Sequence, residues 1–170
     1  NAFGEGSLAN NETGIYTGLE INPSGRWKIQ LYHDLWSHPW LRFNIDSPTE
    51  GQEYFARVTY TVRRRLEIYG QSRSKRTARN IRPTGDAIAD VVDQYRSQAR
   101  LHINNIVHPS LQLRTRLEWT RYTLAQEKQQ GFMIYQDFVY KPVASPWSLS
   151  GRITLFDTDD FETRIYTFEN

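Results

Sequence analysis

The chain has no cysteine, which excludes disulfides and thiolate metal sites and so rules out a small cross-linked scaffold. It has no apolar run near the ~20 residues that a membrane helix needs, and its mean hydropathy is −0.68, so helical spanning is excluded too. Neither sign of charge prevails. Lys and Arg number 21 against 19 Asp and Glu, a net +2 that is too even for a sequence-independent grip on nucleic acid phosphates. The first residues, Asn1-Ala2-Phe3-Gly4, show neither a charged nor an apolar leader pattern, so any export signal is expected elsewhere.

Aromatic residues are plentiful, at 14% of the chain, and apolar residues recur at every second position. That period belongs to strands whose two faces meet different surroundings. From Tyr54 to Val62 the residues Tyr54, Ala56, Val58, Tyr60 and Val62 fall on one face, and Phe55, Arg57, Thr59 and Thr61 on the other. After the polar turn Arg63-Arg64-Arg65, Leu66, Ile68 and Gly70 oppose Glu67, Tyr69, Gln71 and Arg73, which reads as a hairpin. Leu111, Leu113, Thr115, Leu117 and Trp119 oppose Gln112, Arg114, Arg116, Glu118 and Thr120, with His108-Pro109-Ser110 as the preceding turn. Ile15 to Ile21, the turn Asn22-Pro23-Ser24-Gly25 and a strand from Trp27 to Leu31 make a third hairpin. Shorter runs at Phe132–Tyr140, Trp147–Leu155 and Phe161–Ile165 bring the expected count to about nine strands.

Three connections read as long and polar: His33 to Gly51, Ser74 to Ser97 and Thr123 to Gln130. Within the second, Ile88, Val91, Val92 and Tyr95 have helical spacing, so Asp86 to Arg96 is expected to form a helical turn. Short turns at one rim and long loops at the other are the asymmetry of an outer-membrane barrel. The expected fold is therefore all-β: one domain over residues 1–170, an antiparallel up-and-down barrel of the outer-membrane type, complete or a fragment of roughly eight to ten strands. No repeat or linker marks a second domain.

The charged residues gather on one side of the strands: Lys28, Arg57, Glu67, Arg73, Arg114, Arg116, Glu118, Arg152 and Arg164. In a membrane barrel these would face the lumen, and Val58, Tyr60, Leu113, Leu117, Trp119 and Ile153 would face lipid. In a soluble periplasmic barrel or sandwich binding an apolar ligand, the same alternation would turn the apolar set inward. Aromatic placement favours the membrane: Trp36, Trp40, Trp119, Trp147, Tyr122 and Tyr140 lie near strand ends, where amphipathic rings settle at headgroups.

Particular stretches also resemble a known family. Ser37 to Phe43 (SHPWLRF), Leu111 to Tyr122 (LQLRTRLEWTRY), Gly131 to Pro142 (GFMIYQDFVYKP) and above all Ile153 to Asn170 (ITLFDTDDFETRIYTFEN) resemble the C-terminal region of Bacteroidetes envelope proteins that carry helix-hairpin-helix segments. The resemblance covers the chain after about Gly14 and implies a barrel-like region that continues beyond Asn170. The helix-hairpin-helix part has no counterpart here, so no nucleic-acid contact is carried over.

No residue pattern identifies a reaction, and no enzyme is expected. Asp157-Thr158-Asp159-Asp160-Phe161-Glu162 has oxygen ligands for a hard cation but lacks the glycine and spacing of a calcium loop, and reads as a solvated turn. His33, His38, His102 and His108 have no metal-pair spacing, and His33 and His38 read as loop residues flanking Trp36. Arg63-Arg64-Arg65 with Arg73, Lys75, Arg76 and Arg79 is the one basic concentration, read as a solvated turn and loop rather than a phosphate contact. The expected role is a non-enzymatic channel, anchor or assembly platform in a bacterial outer membrane, without cofactor or metal. Its expected partners are the lipid bilayer and other strands of a longer chain or other envelope proteins.

Overall fold

A computed structural model describes residues 11–41, 45–63, 65–81 and 89–166. Among these described residues eight strands form one sheet in chain order: β1 (Thr13–Ser24), β2 (Trp27–His38), β3 (Thr49–Val62), β4 (Leu66–Ile81), β5 (Asp90–His108), β6 (Leu111–Leu124), β7 (Glu127–Tyr140) and β8 (Leu149–Thr158). Each pairs antiparallel with the next, so the fold is all-β and up-and-down. Among the described residues β1 and β8 do not pair, and the sheet is an incomplete barrel.

The expected ninth strand is absent. Phe161–Thr163 form a short 3₁₀ turn, η1, because Asp160 caps it: its carboxylate accepts from Phe161 N–H, and Thr163 closes a capping box. The helical turn expected over Asp86 to Arg96 is also corrected: Val91, Val92 and Tyr95 lie in β5, while Asp86 to Ile88 lie outside the described residues. Here pairing with the end of β4, Asn80 opposite Val91 and Arg76 opposite Tyr95, overrides local spacing.

The connections are shorter than expected for the same reason. β2 runs on to His38, so His33 and His38 are strand residues. Ala125-Gln126 alone join β6 to β7, with Ala125 at φ 51, which the left-handed geometry of a two-residue turn requires. The rim at which β2 passes to β3 and β4 to β5, the long-loop rim by the number of residues between those strands, thus also carries one tight turn. The opposite rim carries turns at 25–26 and 109–110, the passage from β3 to β4, and the longer 141–148.

The two faces of this sheet differ in burial. On one face Met133, Tyr122, Trp36, Glu53, Glu118 and Asp137 are buried, all below 8% exposed; on the other, Leu155 is 64% and Ile153 68% exposed. No second sheet covers the buried face among the described residues, so its side chains shelter one another, as happens when a sheet curls. Arg79 on β4 accordingly reaches the Tyr122 hydroxyl on β6, across β5, at 3.0 Å.

Candidate functional site

Register decides which residues share a face. Val58, Tyr60, Leu113, Leu117, Trp119 and Ile153 all fall on the exposed apolar face. Lys28, Arg57, Glu67, Arg73, Arg114, Arg116, Glu118 and Arg152 fall on the other. Arg164 belongs to neither: it follows η1, with its guanidinium 3.1 Å from the Phe161 ring centroid, because the chain leaves the sheet at Thr158.

The apolar face forms a bounded band. On β2 it runs from Trp27 to Leu35, on β3 from Tyr54 to Val62, on β6 from Leu111 to Trp119 and on β7 from Phe132 to Tyr140. Beyond its border at the long-loop rim the same face turns polar at Ser37, Gln52, Arg121, Gln130 and Asp157. On β4 the band is thinner, since Gly70 is followed by Ser72 and Ser74, the latter within 3.3 Å of the Ser97 hydroxyl on β5. One hydrogen-bonded row is apolar on all eight strands: Ile21, Ile29, Val58, Gly70, Leu101, Leu117, Ile134, Leu155. It begins at one border of the band, Ile21, and ends at the other, Leu155. That climb of six residues over seven strand spacings corresponds to an angle of about 30° at ~3.4 Å per residue and ~4.8 Å per strand.

Aromatic placement is corrected in part. Trp119 and Tyr140 border the band, and Trp147 packs its ring 5.8 Å from that of Tyr140. Trp36 and Tyr122 are buried on the charged face instead, where Trp36 lies against Gly51 and Tyr122 joins Arg79 and Gln94. An even position at a strand end points to whichever face the register assigns, and Trp36 is one residue out of phase with Leu35. The borders also use Trp27, Tyr54, Tyr60 and Phe132, whose phase with the apolar residues was visible in the alternation.

On the charged face, carboxylates hold arginines in pairs across strands. Glu53 (β3) accepts both Arg73 (β4) nitrogens at 2.7 Å, has Lys75 at 3.9 Å and accepts from the Tyr32 hydroxyl of β2. Glu118 (β6) accepts Arg100 (β5) at 2.9 and 3.1 Å and also pairs with Arg116. Asp137 (β7) accepts Arg152 (β8) at 2.6 and 2.8 Å. Such bidentate geometry, with the carboxylate buried, is the arrangement in which ion pairs hold a side-chain network rigid. Lys28 is different: it meets Glu20 at 3.0 Å with both partly exposed. Glu53, Arg100 and Asp137 were missed by sequence reasoning; Glu53 and Arg100 each sit one residue before a stretch of alternation that starts at Tyr54 or Leu101, while Asp137 sits in phase with Met133 and Tyr135.

At the long-loop rim the segment after β8 folds back over this face. Glu162 meets Arg79 at 3.1 Å and Arg96 at 2.7 Å, and Asp159 accepts the Gln130 N–H at 2.7 Å. Gly131 lies beneath Thr163: a side chain there would meet the Thr163 carbonyl at 2.6 Å. The acidic cluster therefore pins this segment, and among the described residues no three His, Cys, Asp or Glu side chains converge on a metal position. His33 stacks on Tyr54, His102 on Tyr69, His38 lies 3.4 Å from Glu12, and His108 accepts the Ser110 N–H. The basic residues of the β3–β4 hairpin do not form one patch. Arg63 and Arg65 lie at one end of β4 and Arg76 and Arg79 at the other, with Arg64 outside the described residues.

No family model matches the chain, and no curated protein matches it.

Proposed function

We propose that this chain is a non-enzymatic segment of a bacterial outer-membrane β-barrel, serving as a channel, an anchor or an assembly platform. The observation that carries this reading is the bounded apolar band together with its climb across the register. A band of nine residues, tilted about 30°, is ~24 Å tall, close to the ~25 Å apolar girdle of such barrels; their strands tilt ~35–45°. Aromatic residues at both borders fit the headgroup regions, and the resemblance to Bacteroidetes envelope proteins points the same way. In hydrocarbon the free edges of β1 and β8 would leave backbone groups unsatisfied, so further strands, from a longer chain or another envelope protein, complete the wall.

The alternative, a soluble periplasmic barrel or sandwich around an apolar ligand, requires the exposed band to be covered. Tryptophan quenching separates the two. In vesicles with brominated acyl chains, single-tryptophan variants retaining Trp27 or Trp119 are expected to be quenched strongly, and one retaining Trp36 weakly. Equal quenching, or full solubility of the protein without detergent, would overturn the membrane reading.

A further inference from the structure

Half-way along the strands, the charged face carries more cations than its own acids can hold. Tyr69, His102, Arg116 and Tyr135 stand directly opposite one another in a single row across β4 to β7. Arg57 reaches into this row from β3, its guanidinium 3.9 Å from the Tyr69 ring centroid, and Arg152 does so from β8, 4.5 Å from that of Tyr135. Around the row stand five arginines, with Arg100 and Arg114, against three carboxylates, Glu67, Glu118 and Asp137.

Glu118 is shared by Arg100 and Arg116, and Asp137 is taken by Arg152. That leaves Arg57 and Arg114, with Glu67 opposite Asn104 as the one remaining carboxylate. Neither forms an ion pair among the described residues, and the hydrogen bond Arg114 makes is a 3.5 Å contact to Gln112. Nε of Arg57, Nε of Arg116 and Nδ1 of His102 are buried and have no hydrogen-bond partner. A sheltered surplus of charge is costly, and it is relieved by a counter-ion that supplies both negative charge and acceptor oxygens.

We propose that the middle of the charged face is a binding site for a small oxyanion of the phosphate type, gripped by Arg114, Arg116 and His102 on β5 and β6 with Arg57 leaning in over Tyr69. Guanidinium forks suit tetrahedral oxyanions because their paired donors match the spacing of the oxygens. The placement rests on the barrel reading, which sets this cluster at mid-depth in the lumen, where rings of Arg select anions in pores. The oxyanion can be free in solution or part of a lipopolysaccharide or phospholipid headgroup, and the shared chemistry is the phosphate.

Calorimetric titration of inorganic phosphate into the detergent-solubilised chain, at constant ionic strength set with gluconate, tests the site. Saturable binding is expected, weakened at least tenfold by Arg114→Gln and several-fold by Arg57→Gln, and unchanged by Arg121→Gln at the rim of the apolar face. Arg114→Lys, which keeps the charge but not the fork, should recover part of the affinity, and far-ultraviolet circular dichroism checks that each variant keeps its strands. A parallel titration with short-chain phosphatidic acid distinguishes the sources: competition with inorganic phosphate marks a headgroup as an equally good ligand, and its absence marks a site for the free ion. Heat that tracks ionic strength alone, or binding that Arg114→Gln and Arg57→Gln leave intact, overturns the proposal. The outcome is independent of the quenching experiment, which can fail while phosphate still binds, or succeed while it does not.

Discussion

The two faces of this one sheet are built from the same strands, residue by residue in alternation, yet they are held in opposite ways. The apolar face has its side chains spread outward, with Leu101 38%, Leu117 42% and Ile153 68% exposed, so one leucine there depends little on the next. The charged face is close-packed, and its acids are shared: Glu118 serves two arginines and Glu53 serves Arg73, Lys75 and Tyr32. Removing an outward leucine loses area, whereas removing an inward acid strands its partners. Neighbouring residues on one strand should therefore respond to substitution by amounts that differ several-fold.

The largest effect is expected at Glu118. Replacing it with Ala leaves Arg100 and Arg116 without their shared acceptor and should cost about 3–5 kcal/mol. Urea unfolding in detergent micelles measures this, and a loss no larger than that of the adjacent Leu117→Ala would erase the difference between the faces. Next comes a charge on the wrong side: Leu117→Arg, on the apolar row, should cost about 2–4 kcal/mol in a bilayer. Gln98→Arg, on the charged face, should fold normally. If both fold equally well in lipid vesicles, the apolar face does not meet hydrocarbon.

A smaller effect separates two glycines. At Gly51 an added methyl collides with the Trp36 ring, so Gly51→Ala should destabilise by about 1–3 kcal/mol. At Gly70, on the apolar face, a methyl meets nothing within 4 Å, and Gly70→Ala should be neutral or stabilising by up to ~1 kcal/mol. Thermal midpoints in one detergent rank them, and the reverse order would place the tight packing on the wrong face. The smallest change is expected for Lys28→Ala, since the pair it makes with Glu20 is solvent-exposed. A measurable shift there would mean that exposed pairs matter as much as the buried network.

Much of this was legible in the residues, and the misses have a common cause. Strands with strict alternation, such as Tyr54–Val62 and Leu111–Thr120, declared themselves because a period of two has one structural meaning. The first half of β5 did not: Val91-Val92 breaks the alternation with two adjacent apolar residues, and only pairing with the end of β4 makes it a strand. Phe161 to Ile165 alternates correctly and still is not a strand, because Asp160 caps a turn and Glu162 is drawn back to Arg79 and Arg96. Trp36 and Tyr122 were assigned by closeness to a strand end, although their phase already placed them with the charged residues.

The sequence by itself determined that the chain is an antiparallel meander with one apolar and one charged side, because alternation is a property of neighbouring residues. Which side is sheltered, which acid holds which arginine, and how the apolar band climbs from Ile21 to Leu155 were decided only by tertiary structure. Those depend on the stagger between strands, a relation between residues far apart in the chain that no local pattern encodes.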